Sequence, residues 1–82
     1  NHLYSIAENI LKKNKLSFDI LKPLILETAN KIQNNSPAKM QTGPAKRGDK
    51  KIINEHLMML NSYPEYQKIY KLISKSITKK IT

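Results

Sequence analysis

The chain has 82 residues and a mass of 9.5 kDa, with 15 Lys and Arg, six Asp and Glu, two His and no Cys. A chain this short forms one domain at most, so residues 1–82 are assigned to a single domain. Without Cys it forms neither disulfides nor a thiolate metal site, so we expect no bound metal and a cytoplasmic location.

The net charge of +9 raises the possibility of nucleic-acid binding, because basic surfaces release counterions from phosphate backbones. However, Lys, Ile and Asn together make up 33 of the 82 residues, and this joint excess indicates a compositional bias rather than a binding surface. A free-standing basic helical module that binds nucleic acid or an acidic protein is therefore the alternative hypothesis, not the favoured one. No apolar run approaches the roughly twenty residues that are needed to span a membrane, so we expect no membrane-spanning helix in this sequence.

The first predicted helix runs from Asn1 to about Asn14. Its apolar positions recur every three or four residues and form one face of the helix. That inner face comprises Leu3, Ile6, Ala7, Ile10 and Leu11. No capping residue precedes Asn1, so we expect the native helix to begin upstream of this sequence.

The second predicted helix is capped by Ser17, has Asp19 in its first turn and ends near Asn34. Pro23 lacks an amide hydrogen, so it predicts either a kink or a short first turn after which the regular helix starts again. The predicted inner face comprises Phe18, Leu21, Leu24, Ile25, Thr28 and Ile32.

Residues 36–48 contain both Gly residues and two of the four Pro residues, so they are predicted to form one long loop. The segment 42–49 also collects groups that bind small anions, namely Thr42, Gly43, Lys46, Arg47, Gly48 and Asp49. Arg47 is the only Arg beside 14 Lys, which indicates a need for a planar, bidentate donor. Composition alone favours a structural interpretation of the segment, in which the glycines permit positive φ and Asp49 caps a helix and pairs with Arg47.

The third predicted helix begins at the cap Asp49 and extends for about thirteen residues. Its inner face comprises Ile53, His56, Leu57 and Leu60, with Ile52 and Met59 beside them. His56 is therefore expected to be at least half-buried with one ring nitrogen hydrogen-bonded, and a role as a catalytic acid or base is the second interpretation. Asp49 and His56 are nearly two turns apart, so both fall on one side of the helix.

The fourth predicted helix begins either at the cap Ser62, with Glu65 completing a capping box, or at the cap Tyr63 with Pro64 in the first position. Its apolar face comprises Tyr66, Ile69, Tyr70, Ile73 and Ile77. No segment alternates as a β-strand does. The sequence thus predicts an all-α domain of four helices with one long loop.

Several motifs resemble a known bacterial family. They are N-H-L-Y-x-I-A-E-x-I-L at 1–11, L-x-P-L-I-x-E-T at 21–28, S-P-A-x-x-Q-T-G-P-A-x-R-G-D at 36–49, I-x-x-H-L at 53–57 and Y-x-x-I-Y-x-L-I-S at 66–74. In that family a Rossmann-like NAD(P)-binding domain is followed by a helical domain of unknown function. The helical domain is distantly similar to the C-terminal domain of 6-phosphogluconate dehydrogenase. The resemblance covers nearly the whole chain and implies that it is a fragment of a larger α/β plus α protein.

The resemblance implies a domain that is inactive alone and serves an NAD(P)-dependent oxidoreductase as its dimerisation and substrate-cleft domain. NAD or NADP would be bound mostly by the absent Rossmann domain, with no cofactor site in this chain. Asn1 and His2 would be the candidate catalytic residues nearest the nicotinamide. Gln41, Thr42, Gly43, Arg47, Asp49 and His56 would be the candidate binding residues for a small anionic substrate. The expected partners are a second copy in a homodimer and the chain's own Rossmann domain.

Overall fold

In the computed structural model, which describes residues 1–79, the chain is helical and contains no β-strand. The described part has five α-helices: α1 (His2–Lys13), α2 (Lys22–Asn34), α3 (Pro44–Arg47), α4 (Lys50–Met59) and α5 (Pro64–Thr78). Two short 3-10 helices, Phe18–Leu21 and Pro37–Met40, lie between them. The all-α prediction is confirmed, although the last three residues of the predicted domain 1–82 lie outside the described part.

The predicted single loop over 36–48 is corrected by the structure. It contains the 3-10 helix Pro37–Met40 and the additional helix α3, so the described chain has five α-helices instead of four. Both of these short helices begin at a Pro, whose fixed φ suits the first helical position. Each has only four residues, which is too short to produce the periodic apolar pattern on which the four predicted helices were based.

The chain divides into two compact units, residues 1–40 (unit 1) and residues 41–82 (unit 2). In unit 1, α1 ends in a Schellman motif, in which two amides bond back to the last carbonyls of the helix. The Leu16 amide donates to the Leu11 carbonyl at 2.9 Å, and the Lys15 amide donates to the Lys12 carbonyl at 3.1 Å. Lys15 takes the left-handed conformation that this motif requires, with φ of 59°.

The predicted cap at Ser17 is present. Its hydroxyl accepts a hydrogen bond from the Asp19 amide at 3.1 Å and opens the 3-10 helix Phe18–Leu21. Lys22 Nζ lies 2.8 Å from Asp19 Oδ1. The hydrogen bond from Lys22 and its positive charge hold the pKa of the Asp19 carboxyl below its usual value. The regular helix α2 then starts at Lys22 with Pro23 in its first turn, so the second of the two alternatives for Pro23 is confirmed.

Unit 1 has no buried residue in its described structure. The 3-10 helix Phe18–Leu21 contacts both α1 and α2, and these contacts half-bury Phe18, Leu21 and Ile25. Leu3, Leu24 and Ile32, which were predicted to face inward, are instead 53%, 57% and 44% exposed, and Thr28 is exposed as well. The apolar face of α2 is therefore only partly covered, although the 3-10 helix Pro37–Met40 also contacts this helix.

In unit 2, α3 contacts α4 and α5, and α4 contacts α5. The predicted inner face of α4 is half-buried as expected, whereas Met59, predicted to lie beside that face, is 77% exposed. Ile73, predicted on the apolar face of α5, is 40% exposed. α5 begins at Pro64 with Tyr63 at the cap position, and the Tyr63 side chain makes no capping hydrogen bond. Of the two predicted starts, the one with Tyr63 at the cap is therefore confirmed. The rings of Tyr63 and Tyr66 stack with centroids 5.3 Å apart.

Lys15 and Gly48 occupy equivalent left-handed positions, after α1 and α3 respectively, with φ of 59° and 71°. A side chain with a Cβ is strained there, whereas Gly is not. We expect Lys15→Gly to raise the free energy of unfolding by up to about 1 kcal/mol and Gly48→Ala to lower it by about 1 kcal/mol. Urea unfolding of the full-length protein followed by circular dichroism measures both, and changes of the same sign in the two variants would contradict the assignment.

Candidate functional site

The segment 41–49, which we call the corner, contains α3 and is held by backbone hydrogen bonds at both ends of that helix. Gly43 caps α3 with φ of 104° and ψ of 174°, a conformation that only Gly adopts without strain. Its carbonyl accepts a hydrogen bond from the Arg47 amide at 3.1 Å. Pro44 occupies the first helical position, where its missing amide hydrogen is not needed.

The other end of the corner is closed by a second Schellman motif. The Asp49 amide donates to the Pro44 carbonyl at 2.9 Å, and the Gly48 amide donates to the Ala45 carbonyl at 3.3 Å. Gly48 is left-handed, as the motif demands. The structural interpretation of Gly43 and Gly48, that both permit positive φ, is thus confirmed.

Asp49 joins α3 to α4. Its backbone amide belongs to the motif that ends α3, while its side-chain Oδ1 accepts a hydrogen bond from the Ile52 amide at 3.2 Å and caps α4. The predicted cap at Asp49 is confirmed. Because both its backbone and its side chain are engaged, Asp49 has little freedom to move.

Ala45 anchors the corner. It is 7% exposed and is the one buried residue in the described part of the chain. It lies on α3, which packs against both α4 and α5. A larger side chain at this position has no space without moving α3, since well-packed sites resist added volume. The sequence analysis did not select Ala45, because a small residue within a predicted loop carries no signal for burial.

Arg47 and Asp49 form a loose ion pair. The guanidinium Nη2 lies 3.9 Å from Asp49 Oδ2, and the two side chains are 59% and 35% exposed. This distance is beyond hydrogen-bond range, and exposed pairs of this kind contribute about 0–1 kcal/mol to stability. The predicted pairing of the two residues is present, but it leaves the guanidinium accessible from solvent.

Gln41 and Thr42 precede the corner, and both are exposed. The Gln41 side chain donates through Nε2 to the Thr42 carbonyl at 2.8 Å. The predicted binding residues of the segment, from Gln41 to Asp49, therefore lie on one continuous stretch of chain in unit 2. Which of them contacts a ligand stays a prediction.

His56 lies on α4, half-buried against α5. Its Nδ1 is 2.7 Å from the Tyr70 hydroxyl, and the two rings meet edge to face with centroids 5.6 Å apart. A second polar contact follows beside it, where Gln67 Nε2 donates to the Leu57 carbonyl at 2.7 Å. The predicted half-buried His with one hydrogen-bonded ring nitrogen is confirmed. Tyr70 and Gln67 were not predicted as its neighbours, because the pairing of two helices is not encoded in the period of either one.

Asp49 and His56 have separate partners. Although both are on α4, Asp49 engages the helix start and Arg47, whereas His56 engages α5. The spacing that suggested a shared site is explained by two independent structural contacts.

Asn1 and His2 lie at the start of α1 in unit 1. Both are exposed, and the Asn1 side chain makes no capping hydrogen bond. The candidate catalytic residues and the segment 41–49 thus belong to different units of the chain.

Other candidate sites are sparse within residues 1–79. No group of three or more His, Cys, Asp or Glu side chains is arranged to hold a metal ion. An open depression on α2 is lined by Pro23, Leu26, Glu27, Asn30 and Lys31, and it includes none of the predicted site residues. No helix in this part of the chain is both long and apolar enough to cross a membrane.

Fold and site together define an all-helical domain whose one closed corner presents an accessible Arg. The chain belongs to the family described as a domain of unknown function, DUF2520, whose model matches residues 1–77. The resemblance stated from the motifs is confirmed at this level. No curated protein matches the chain significantly.

Among solved structures, the chain is similar to a crystal structure of a "putative NADP oxidoreductase" from Bacteroides fragilis. The two share 46% identity with a TM-score of 0.94 over 98% of this chain. The match covers 31% of the Bacteroides fragilis chain, so this chain spans about a third of the length of that relative.

The His56–Tyr70 contact should stabilise the packing of α4 on α5. In a double-mutant cycle with His56→Leu and Tyr70→Phe, we expect a coupling free energy of unfolding of about 0.5–1.5 kcal/mol between the two side chains, which is the usual net value of one hydrogen bond. Urea unfolding of the four proteins measures it. Tyr4→Phe, at a tyrosine that is 48% exposed, is the matched control and should cost less than about 0.5 kcal/mol. A coupling near zero would mean that the hydrogen bond contributes nothing to the packing.

Proposed function

We propose that this chain is the C-terminal helical domain of an NADP-dependent oxidoreductase and forms one wall of its substrate cleft. The observation that carries the proposal is the 46% identity, over 98% of this chain, to the protein named a "putative NADP oxidoreductase". A TM-score of 0.94 supports the transfer, because the backbone is preserved along the whole match. The domain is not expected to be catalytic alone.

In this proposal NADP(H) is held mostly by a Rossmann-like domain that precedes the present sequence. The Bacteroides fragilis chain is long enough for such a domain, since the match covers 31% of it. The cofactor would supply the hydride chemistry. The residues of this chain would bind and orient the substrate, and Asn1 and His2, at the start of α1, would lie nearest the nicotinamide.

The substrate-facing wall of this chain is proposed to be the corner 41–49. Support comes from its rigidity: α3 is held at both ends by backbone hydrogen bonds and is anchored by buried Ala45. A rigid support of this kind lets a side chain present its donors at a fixed place. Arg47 would bind an anionic group of the substrate, with Gln41 and Thr42 beside it. Gly43 would shape the backbone.

His56 is proposed to act by positioning α4 against α5 rather than by touching the substrate. Its Nδ1 already pairs with the Tyr70 hydroxyl, and the side chain is half-buried between the two helices. Asp49 has a comparable supporting role at the start of α4.

We further propose a homodimer in which unit 1 contributes apolar surface. Its exposed large apolar side chains are Leu3, Tyr4, Leu16, Ile20, Leu24, Leu26 and Ile32. Monomeric proteins rarely leave so many such residues exposed on so small a unit, so part of this surface is expected to be covered. A second copy and the preceding domain are the two candidates to cover it, and the dimer is tested below.

The oxidoreductase proposal predicts a strand followed by G-x-G-x-x-G or G-x-G-x-x-A within roughly 130–180 residues upstream of Asn1. The full-length protein should bind NADPH, measured by the change in nicotinamide fluorescence. Arg47→Lys should leave the Kd for NADPH within about twofold of wild type, because the cofactor would be held by the other domain. Absence of the upstream motif together with absence of NADPH binding would refute the proposal.

The dimer proposal predicts twice the subunit mass for the full-length protein in size-exclusion chromatography with light scattering. Leu24→Asp, at a side chain that is 57% exposed on α2, should shift the mass to one subunit, because a charge cannot be buried unpaired in an apolar interface. Asn61→Asp adds the same charge at an exposed polar position outside unit 1 and should leave the dimer intact. A wild-type protein of single-subunit mass would contradict the dimer.

A further inference from the structure

We infer that Asp49 shifts the anion preference of the Arg47 site away from a phosphate dianion and towards a monoanionic carboxylate. The inference rests on the proposed function in one respect: Arg47 must be the group that binds the substrate's anion. It goes further by naming the chemical class of that anion and the residue that selects it.

The selectivity begins with the immobility of the Asp49 carboxylate. The Asp49 amide is bonded to the Pro44 carbonyl, and Oδ1 is bonded to the Ile52 amide. With the backbone and one oxygen both engaged, the side chain cannot swing away when a ligand arrives. Its negative charge therefore stays beside Arg47, with Oδ2 at 3.9 Å from Nη2.

The guanidinium itself remains available. It is 59% exposed, and its contact with Asp49 is longer than a hydrogen bond, so its N–H groups are not consumed by the ion pair. A guanidinium can donate two parallel hydrogen bonds to a planar carboxylate, and this geometry is the one that Arg offers and Lys does not. The lone Arg in a Lys-rich chain fits this requirement.

The fixed carboxylate repels every anion that binds to Arg47, and the repulsion grows with the charge of the ligand. A bound anion would lie about 6 Å from Asp49, where Coulomb's law in a water-like medium gives about a threefold loss of affinity for a single charge and about tenfold for a double charge. Asp49 therefore weakens the binding of a phosphate dianion about threefold more than it weakens the binding of a monoanionic carboxylate.

Neighbouring lysines do not remove this discrimination. Lys46 and Lys50 flank the pair in sequence and are exposed. Their charges attract anions in the wild-type protein and in every variant of Asp49. A comparison between variants at position 49 consequently isolates the contribution of the carboxylate.

The test uses the full-length protein and the substitution Asp49→Asn, because Asn also caps a helix and so preserves the start of α4 while removing the charge. Acetate and inorganic phosphate, the latter at about pH 8 where it is a dianion, are titrated separately at about 0.01 M ionic strength, where screening is weak. The NMR signal of the Arg47 side chain reports binding. The Kd for phosphate should fall about tenfold and the Kd for acetate about threefold.

Two controls make the result specific. Glu27→Gln changes the net charge by the same amount on exposed α2 of unit 1 and should alter neither Kd by more than about twofold. Arg47→Gln, followed through the backbone amide signals of 47–49, should abolish the response to both anions. Equal changes for acetate and phosphate in Asp49→Asn, or no change for either, would overturn the inference, as would a wild-type Arg47 that responds to neither anion.

The outcome can be separated from that of the proposed function. NADPH binding is measured on the same proteins, and it does not depend on Asp49 in the proposed arrangement. A protein that fails to bind NADPH yet discriminates acetate from phosphate would refute the oxidoreductase assignment and keep the anion selectivity. A protein that binds NADPH but shows no effect of Asp49 on the relative binding of acetate and phosphate would keep the oxidoreductase assignment and refute the anion selectivity.

Discussion

The structure of unit 2 depends on the double engagement of Asp49. Its amide closes the Schellman motif that ends α3, and its carboxylate oxygen caps α4, so a single residue fixes where one helix stops and the next begins. Because α3 also carries buried Ala45 against α4 and α5, the corner 41–49 cannot change shape without disturbing the packing of all three helices. The Gly- and Pro-rich segment that was predicted to be a loop is thus held in a defined conformation by these contacts.

This rigidity links the fold to the proposed chemistry. A long, flexible Arg side chain recognises an anion well only when its backbone is fixed and part of its surroundings is already in place. Arg47 satisfies both conditions, since its amide is bonded to Gly43 and its guanidinium faces a carboxylate that cannot leave. The ion pair between Arg47 and Asp49 contributes little to stability, as is typical of a half-exposed pair, so its consequence lies in electrostatics at the binding surface.

Both units leave large apolar side chains exposed, including Met58 and Met59 of unit 2 at 76% and 77%, but they differ in their internal contacts. Unit 2 has an internal contact among three helices, with the polar links His56–Tyr70 and Gln67–Leu57 tying α4 to α5. Unit 1 has no buried residue in its described part and leaves Leu24 and Leu26 largely exposed on α2. The chain belongs to the DUF2520 family, and its solved relative is about three times as long. We therefore expect this apolar surface to contact another part of a longer protein.

The sequence by itself determined the all-α class, the end of α1 near Asn14, the cap at Ser17 and the cap at Asp49. For Pro23 it left two alternatives, and the structure decided between them with a helix that starts at Lys22. These features depend on local interactions within a few residues, such as the 3.6-residue period, the missing amide of Pro and the short reach of a capping side chain. Only the tertiary structure decided that 44–47 is a helix, that Ala45 is its buried anchor, and that His56 is paired with Tyr70, 14 residues further along the chain. Contacts of this kind depend on which helices meet, and no local pattern specifies that.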